Sequence, residues 1–237
     1  MQPHIQVPQF RCRTDRRARR CAAALAVVLM LTAVHLQPAA ADSSRSGFPE
    51  GMSKPTAKTR QLENGAFVTE GKVEYQAPAE QVVEVLGDFP GYSEWAVQGL
   101  DAHPNPKVDI IGIITDVAFS DYPRDQFVFT YNLDLVWPFG RSDQLMRFDM
   151  EHRKGPESME MKLQLHDPGM TLNAGSLLLE AEGNAAGSTL RYTVLADFAW
   201  YIRPFFNPGN FEGTMRWRVE QVLKNLAGRL QQSAASR

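Results

Sequence analysis

The chain has 237 residues, of which 43% are hydrophobic and 22% charged, with a net charge of −2 and two cysteines. This length allows one domain with a sizeable apolar core. The charge is too low for a nucleic-acid surface, and two cysteines are too few for a disulfide scaffold.

Residues 1–41 read as a targeting segment. Arg16, Arg17, Arg19 and Arg20 form a basic start, Cys21 to Val34 is nearly all apolar, and Ala39-Ala40-Ala41 offers a small-residue cleavage site. The apolar run falls short of the roughly 20 residues that a membrane span needs. Cleavage after Ala41 and a periplasmic or secreted location are therefore expected, with an uncleaved membrane anchor as the alternative. Cleavage would remove both cysteines, Cys12 and Cys21, leaving no thiol, disulfide or thiolate metal ligand. The leader holds six arginines and one aspartate, so the mature chain would carry −7. That balance argues against nucleic acid and against electrostatic docking on anionic lipid, and it also serves solubility.

Residues 42–65 contain Ser, Lys and Pro without periodicity and are predicted to be a flexible linker. Period-2 alternation then dominates. Phe67, Thr69, Gly71, Val73 and Tyr75 share one face of a strand over 67–75. Pro78 suits the first turn of a short helix, Gly87 can stop it, and a second short turn ends at Trp95. A weak strand is predicted around 97–103, and more continuously apolar strands near 109–118 and 175–182. Clear alternation marks 126–136, 144–152, 159–165 and 189–198. One wet and one buried face per strand is the pattern of an antiparallel sheet. Turn signals separate the strands: Pro104-Asn105-Pro106, Pro138-Phe139-Gly140, Lys154-Gly155-Pro156 and Gly183 to Gly187. The chain closes with a long helix whose apolar stripe is Phe211, Met215, Val219, Val222, Leu223, Leu226 and Leu230. Arg216, Arg218, Glu220, Lys224 and Arg229 are assigned to its wet side.

Three stretches carry a resemblance. The first is Ala77-Pro-Ala-Glu-Gln-Val-Val-Glu-Val-Leu-Gly-Asp-Phe through Trp95. The second is Trp137-Pro-Phe-Gly-Arg-Ser-Asp143. The third runs from Gly183 through a Leu-x-Tyr-x-Val strand to Asp197, then Pro204 and the final helix. In this order they resemble the START-like superfamily (Bet v 1-like or SRPBCC, of the polyketide cyclase and coenzyme Q-binding type) over about 66–232. The match at Arg141-Ser-Asp143 is loose, so no specific lipid follows from it. The resemblance implies an α+β helix-grip fold, with a curved antiparallel sheet of about seven strands wrapped around a long C-terminal helix and two short helices after the first strand. It also implies an apolar cavity between sheet and helix, enclosing a small hydrophobic ligand such as a lipid, a sterol-like triterpenoid or a quinone.

On that reading the lining is Phe129, Tyr131, Phe148, Met150, Met161, Leu163, Tyr192, Val194, Met215 and Val219. The methionines, Met146 included, suit irregular shapes because their thioethers are flexible. The same stripes also describe an ordinary packed core. Residues 200–211, dense in aromatic rings and broken by Pro204 and Pro208, can form a gate, touch a membrane interface or fold back over the open end of the sheet. Arg141 and Asp143 can form a headgroup contact or a solvated turn pair.

Catalytic chemistry is thin. Outside the leader the histidines are His103, His152 and His166, and none has zinc-ligand spacing. His166 is read as structural. His152 is the one acid–base candidate, with a place at the strand rim as its plainer reading. No Gly-x-Ser-x-Gly elbow or phosphate-binding glycine loop occurs, so no catalytic residue, metal or cofactor is assigned. Some START-like proteins resemble cyclases or aromatases. Such an enzyme would have only Thr115, Tyr131, Tyr192 and His152 as inward polar groups here. A protein-interaction module with a filled cavity is a further alternative.

Overall fold

A computed structural model describes residues 47–100, 113–121, 124–134, 141–169, 171–200, 203 and 208–235. The elements in chain order are β1 (Thr56–Gln61), β2 (Phe67–Tyr75), α1 (Ala79–Gly87), a 3-10 turn (Phe89–Gly91), α2 (Tyr92–Trp95), β3 (Ile113–Ser120), β4 (Gln126–Asp134), β5 (Arg141–Lys154), β6 (Ser158–Leu165), β7 (Leu172–Asn184), β8 (Gly187–Phe198) and α3 (Pro208–Ala235). All eight strands form one antiparallel sheet in the order β1-β2-β8-β7-β6-β5-β4-β3. One antiparallel sheet with a long C-terminal helix, and short helices between the second and third strands of the chain, is the helix-grip arrangement that the resemblance implies.

Alternation decides which face of each strand is buried. In β6, Met159, Met161, Leu163 and Leu165 are buried and the residues between them are exposed. In β8, Leu190, Tyr192, Val194, Ala196 and Phe198 are buried. Together with the apolar stripe of α3 they form a single hydrophobic core that also takes in α1 and α2. Gly87 is the last residue of α1 and Trp95 ends α2, as the sequence predicts, while Pro78 stands at the N-cap, one residue before the first turn in which the sequence places it.

Three expectations need correction. First, the segment 42–65 is not only a linker: Thr56–Gln61 is the edge strand β1, and the sheet has eight strands instead of about seven. Apart from Ala57 its residues are polar on both faces, so it carries no apolar alternation. It is held by its register with β2, from Thr56↔Lys72 to Gln61↔Phe67, and by the Thr59–Thr69 hydroxyl pair at 2.9 Å. Lys58 and Arg60 on this edge discourage pairing with another chain. Second, 97–100 is a turn and not the start of a weak strand, while 101–103 lies outside the described residues. Third, Arg218 is only 1% exposed, and is not on the wet side of α3. It lies three residues after Met215 and four before Val222, which a 3.6-residue period places on the same side.

A close approach explains one glycine. A Cβ on Gly71 would lie 2.0 Å from the Tyr192 ring and 2.5 Å from the Thr56 carbonyl oxygen. Gly71 is the cross-strand partner of Tyr192, and the missing side chain lets that ring pass over β2. The Tyr192 hydroxyl then donates to Thr56 O at 3.2 Å on β1.

Candidate functional site

The sheet turns its apolar face toward α3, and the candidate site is the region between them. The α3 backbone makes its closest sheet approaches to β1 and β2, at one edge. Its C-terminal half is clamped by polar contacts. Tyr75 Oη donates to Leu223 O at 3.2 Å, Gln81 Nε2 donates to Leu230 O at 2.6 Å, and Asn225 Nδ2 donates to Ala96 O and Gln98 O at 3.3 and 2.9 Å. Its N-terminal half is held by rings: Phe211 stacks on Phe67 at 4.5 Å and meets Phe198 edge-on at 5.7 Å.

Of the predicted lining, Phe129, Phe148, Met150, Met161, Leu163, Tyr192, Val194, Met215 and Val219 are all buried and belong to one hydrophobic cluster. The Tyr131 side chain, like those of Thr115, Arg141 and Asp143, lies outside the described residues. His103 and most of 201–207 also lie outside them, whereas Trp200 is 79% exposed. His152 sits at the rim, its ring 5.0 Å from Phe89 and its Nδ1 3.8 Å from Asp125 Oδ2. His166 holds the outer face together, with Nδ1 2.8 Å from Asp149 Oδ2. Burial pushes the Asp149 carboxyl up, but hydrogen bonds from His166 and Gln126 prevail and hold it below its usual range. Among the described residues no group of three or more His, Cys, Asp or Glu side chains is placed to hold a metal ion.

An aromatic chain crosses the region under α2. Ring centroids run from Trp95 to Tyr92 at 5.0 Å, Tyr92 to Phe127 at 5.9 Å, Phe127 to Phe129 at 6.2 Å and Phe129 to Phe148 at 5.7 Å. Trp95 is 5% exposed, and its Nε1 is buried without a hydrogen-bond partner among the described residues. Sequence reading marks Trp95 as a bulky landmark but cannot find this donor, because its isolation depends on where neighbouring acceptors lie in space. Arg218 is a second interior polar residue, and its spacing from Met215 and Val222 is the sequence signal for it.

An open groove of about 620 Å³ lies elsewhere, between the start of α1 (Ala79, Glu80), Glu157 and the β7–β8 turn (Asn184 to Gly187). None of the predicted lining residues borders it.

Three buried tyrosines keep their protons. Burial pushes Tyr75, Tyr92 and Tyr192 well above the ordinary phenol value, with the neighbouring Tyr192, Asp88 and Glu220 respectively adding to the effect. The unfolded chain releases these protons near pH 10 while the folded chain does not. The stability they contribute is therefore fully present below about pH 10 and is lost as pH rises beyond it. Urea midpoints should fall between about pH 8 and about pH 11. An ultraviolet titration should show these three phenols ionising only as the protein unfolds.

No protein-family model and no curated protein matches this chain. Among solved structures it is similar to a STAR-related lipid transfer protein fragment from Xanthomonas axonopodis, at 15% identity and TM-score 0.46 over 84% of this chain and 98% of that one. It is similar to the human StarD13 lipid transfer and protein localization domain, at 9% identity and TM-score 0.44 over 83% and 89%. It is also similar to the Zhui aromatase/cyclase from Streptomyces sp. R1128, at 17% identity and TM-score 0.40 over 71% and 96%. These are likenesses of shape, too distant to transfer a ligand or a reaction. The fold is START-like by its own element order and strand pairing.

Proposed function

We propose that this protein is an exported carrier that encloses a small hydrophobic ligand between the sheet and α3. The observation that carries this reading is the composition of the enclosed face. Met146, Met150 and Met161 stand among Phe129, Phe148 and Leu163 on β4, β5 and β6, while the α3 backbone approaches the sheet most closely at β1 and β2. Flexible thioethers on the strands farther from that approach can re-pack around a guest without disturbing the sheet. Affinity would come from apolar area removed from water, at about 25 cal/mol per Å². The ligand class is a lipid, a sterol-like triterpenoid or a quinone.

Export is supported by the leader pattern of residues 1–41. Among the described residues no helix is long and apolar enough to cross a membrane. Exposed Trp200 suits brief contact with a lipid surface through 200–211 while cargo is exchanged. With −7 on the mature chain, that contact would rest on the interfacial preference of aromatic rings and not on attraction to anionic lipid.

The test is native mass spectrometry and lipid extraction of the full chain expressed with its leader. Loss of residues 1–41 and a co-purifying apolar molecule of defined mass are expected. A protein retaining its leader, or one that neither carries nor takes up any apolar molecule, overturns the reading. Met150→Trp should reduce uptake by at least about tenfold and leave the circular dichroism spectrum largely intact, because Met150 faces the enclosed side of β5. Undiminished uptake would remove Met150 from the lining.

A further inference from the structure

We infer that Trp95 Nε1 is the donor that fixes the enclosed guest, by a hydrogen bond to a neutral oxygen acceptor: a ketone, ester or quinone carbonyl. The inference rests on the carrier reading above and specifies the chemistry of its ligand. An indole nitrogen can only donate, and a buried donor left unmade costs about 1–3 kcal/mol. Trp95 meets both conditions, being 5% exposed with Nε1 buried and unpartnered.

Two neighbouring polar groups bond elsewhere and not to the indole nitrogen. The Tyr92 hydroxyl, beside the Trp95 ring, donates to Leu86 O at 2.5 Å, and Ala96 O accepts from Asn225 Nδ2 at 3.3 Å. The latter bond joins α3 to the residue that follows Trp95, so the indole sits where α2 meets α3. From there the rings of Tyr92 and Phe127 lead to Phe129 and Phe148 in the proposed lining.

The charge of the acceptor follows from the surroundings. An indole N–H brings no positive charge, and a carboxylate or phosphate moved into this aromatic cluster would lose its hydration for one neutral bond. A carbonyl loses far less and gains a partner. The guest then lies with its oxygen at Trp95 and its hydrocarbon body along the methionines of β5 and β6.

Two probe pairs test this, each matched in body and differing in the oxygen group: octadecane with methyl stearate, and cholestane with cholestanone. They are loaded from cyclodextrin onto the full mature chain and compared by native mass spectrometry. In whichever pair enters, the carbonyl member should bind about tenfold more tightly than the hydrocarbon. Trp95→Phe keeps an aromatic ring and removes the donor. It should abolish that preference, so that the carbonyl and hydrocarbon members of a pair bind within about twofold of each other.

A second readout needs no variant to fold. With ¹⁵N-labelled tryptophan, the Trp95 indole N–H resonance should shift on loading the carbonyl probe and far less on loading the hydrocarbon. Equal binding of both members, or a preference that survives Trp95→Phe, overturns the inference while leaving the carrier reading in place. An unmoved indole resonance with bound carbonyl probe does the same. Failure of all four probes to enter overturns the inference together with the carrier reading.

Discussion

Replacing Phe211 by alanine should destabilise the protein by about 4 kcal/mol, the usual range for removing a buried Phe being roughly 3–5. The ring is 1% exposed, stacked on Phe67 at 4.5 Å and an interplanar angle of 26°, and set edge-on to Phe198 at 5.7 Å. Phe67 opens β2 and Phe198 closes β8, so one side chain ties the start of α3 to two adjacent strands. The polar clamps on α3 act at Leu223, Asn225 and Leu230, in its C-terminal half. Phe211 lies at the other end of the helix, and a cavity at position 211 should loosen that end selectively. Urea unfolding should show the loss. Hydrogen exchange should rise over about 208–219 while the amides near Leu223 to Leu230 change little. Phe211→Leu should recover about half of the stability. A loss below about 1 kcal/mol for the alanine variant would show that the helix is anchored elsewhere.

Gly187→Ala should cost about 3 kcal/mol or more, for a different reason. Gly187 has φ 143°, and a Cβ there would lie 2.3 Å from Tyr75 O, 2.8 Å from Gln76 C and 2.9 Å from Gln76 Cα. Backbone cannot move aside as a side-chain tip can, so β8 would have to part from the end of β2. The neighbouring pairs Tyr75↔Ser188 and Asn184↔Gly187 would be disturbed together. Gly228 supplies the control: a Cβ there meets nothing within 4 Å, and the residue lies inside α3. Gly228→Ala should be neutral or should add up to about 1 kcal/mol through helix propensity. Thermal unfolding of the two variants side by side checks the contrast. Similar midpoints for both would mean that the β2–β8 approach is looser than these distances indicate.

Much of the fold was legible from local pattern. The alternation Met159, Met161, Leu163, Leu165 assigns the buried face of β6 without reference to any other element, because a strand has a side-chain period of two. The stripe Phe211 to Leu230 does the same for α3. β1 is not legible in this way, because an edge strand with Thr56, Lys58 and Arg60 has little apolar surface to alternate. It exists through backbone bonds to β2, which leave no mark in its own residues. For Arg218 charge and spacing point in opposite directions, and its spacing from Met215 and Val222 decides the side of α3 on which it lies.

The candidate site was legible only in part. The proposed lining follows strand register, and those of its residues whose side chains are described are buried together, as the residues of a packed core also are. The unpartnered Trp95 nitrogen could not be chosen that way. Nor could the ring chain from Trp95 to Phe148, which joins α2 to β4 and β5 across more than fifty positions of sequence.

By itself, then, the sequence determined the kinds of element, the buried face of most strands and the closing helix, because periodicity is a property of neighbours along the chain. Only the tertiary structure decided which strands lie side by side, that Gly71 must yield to the Tyr192 ring, that Gly187 must carry no Cβ, and which polar groups are buried with or without partners. Those features are set by distances between residues far apart in sequence, and no local pattern encodes them.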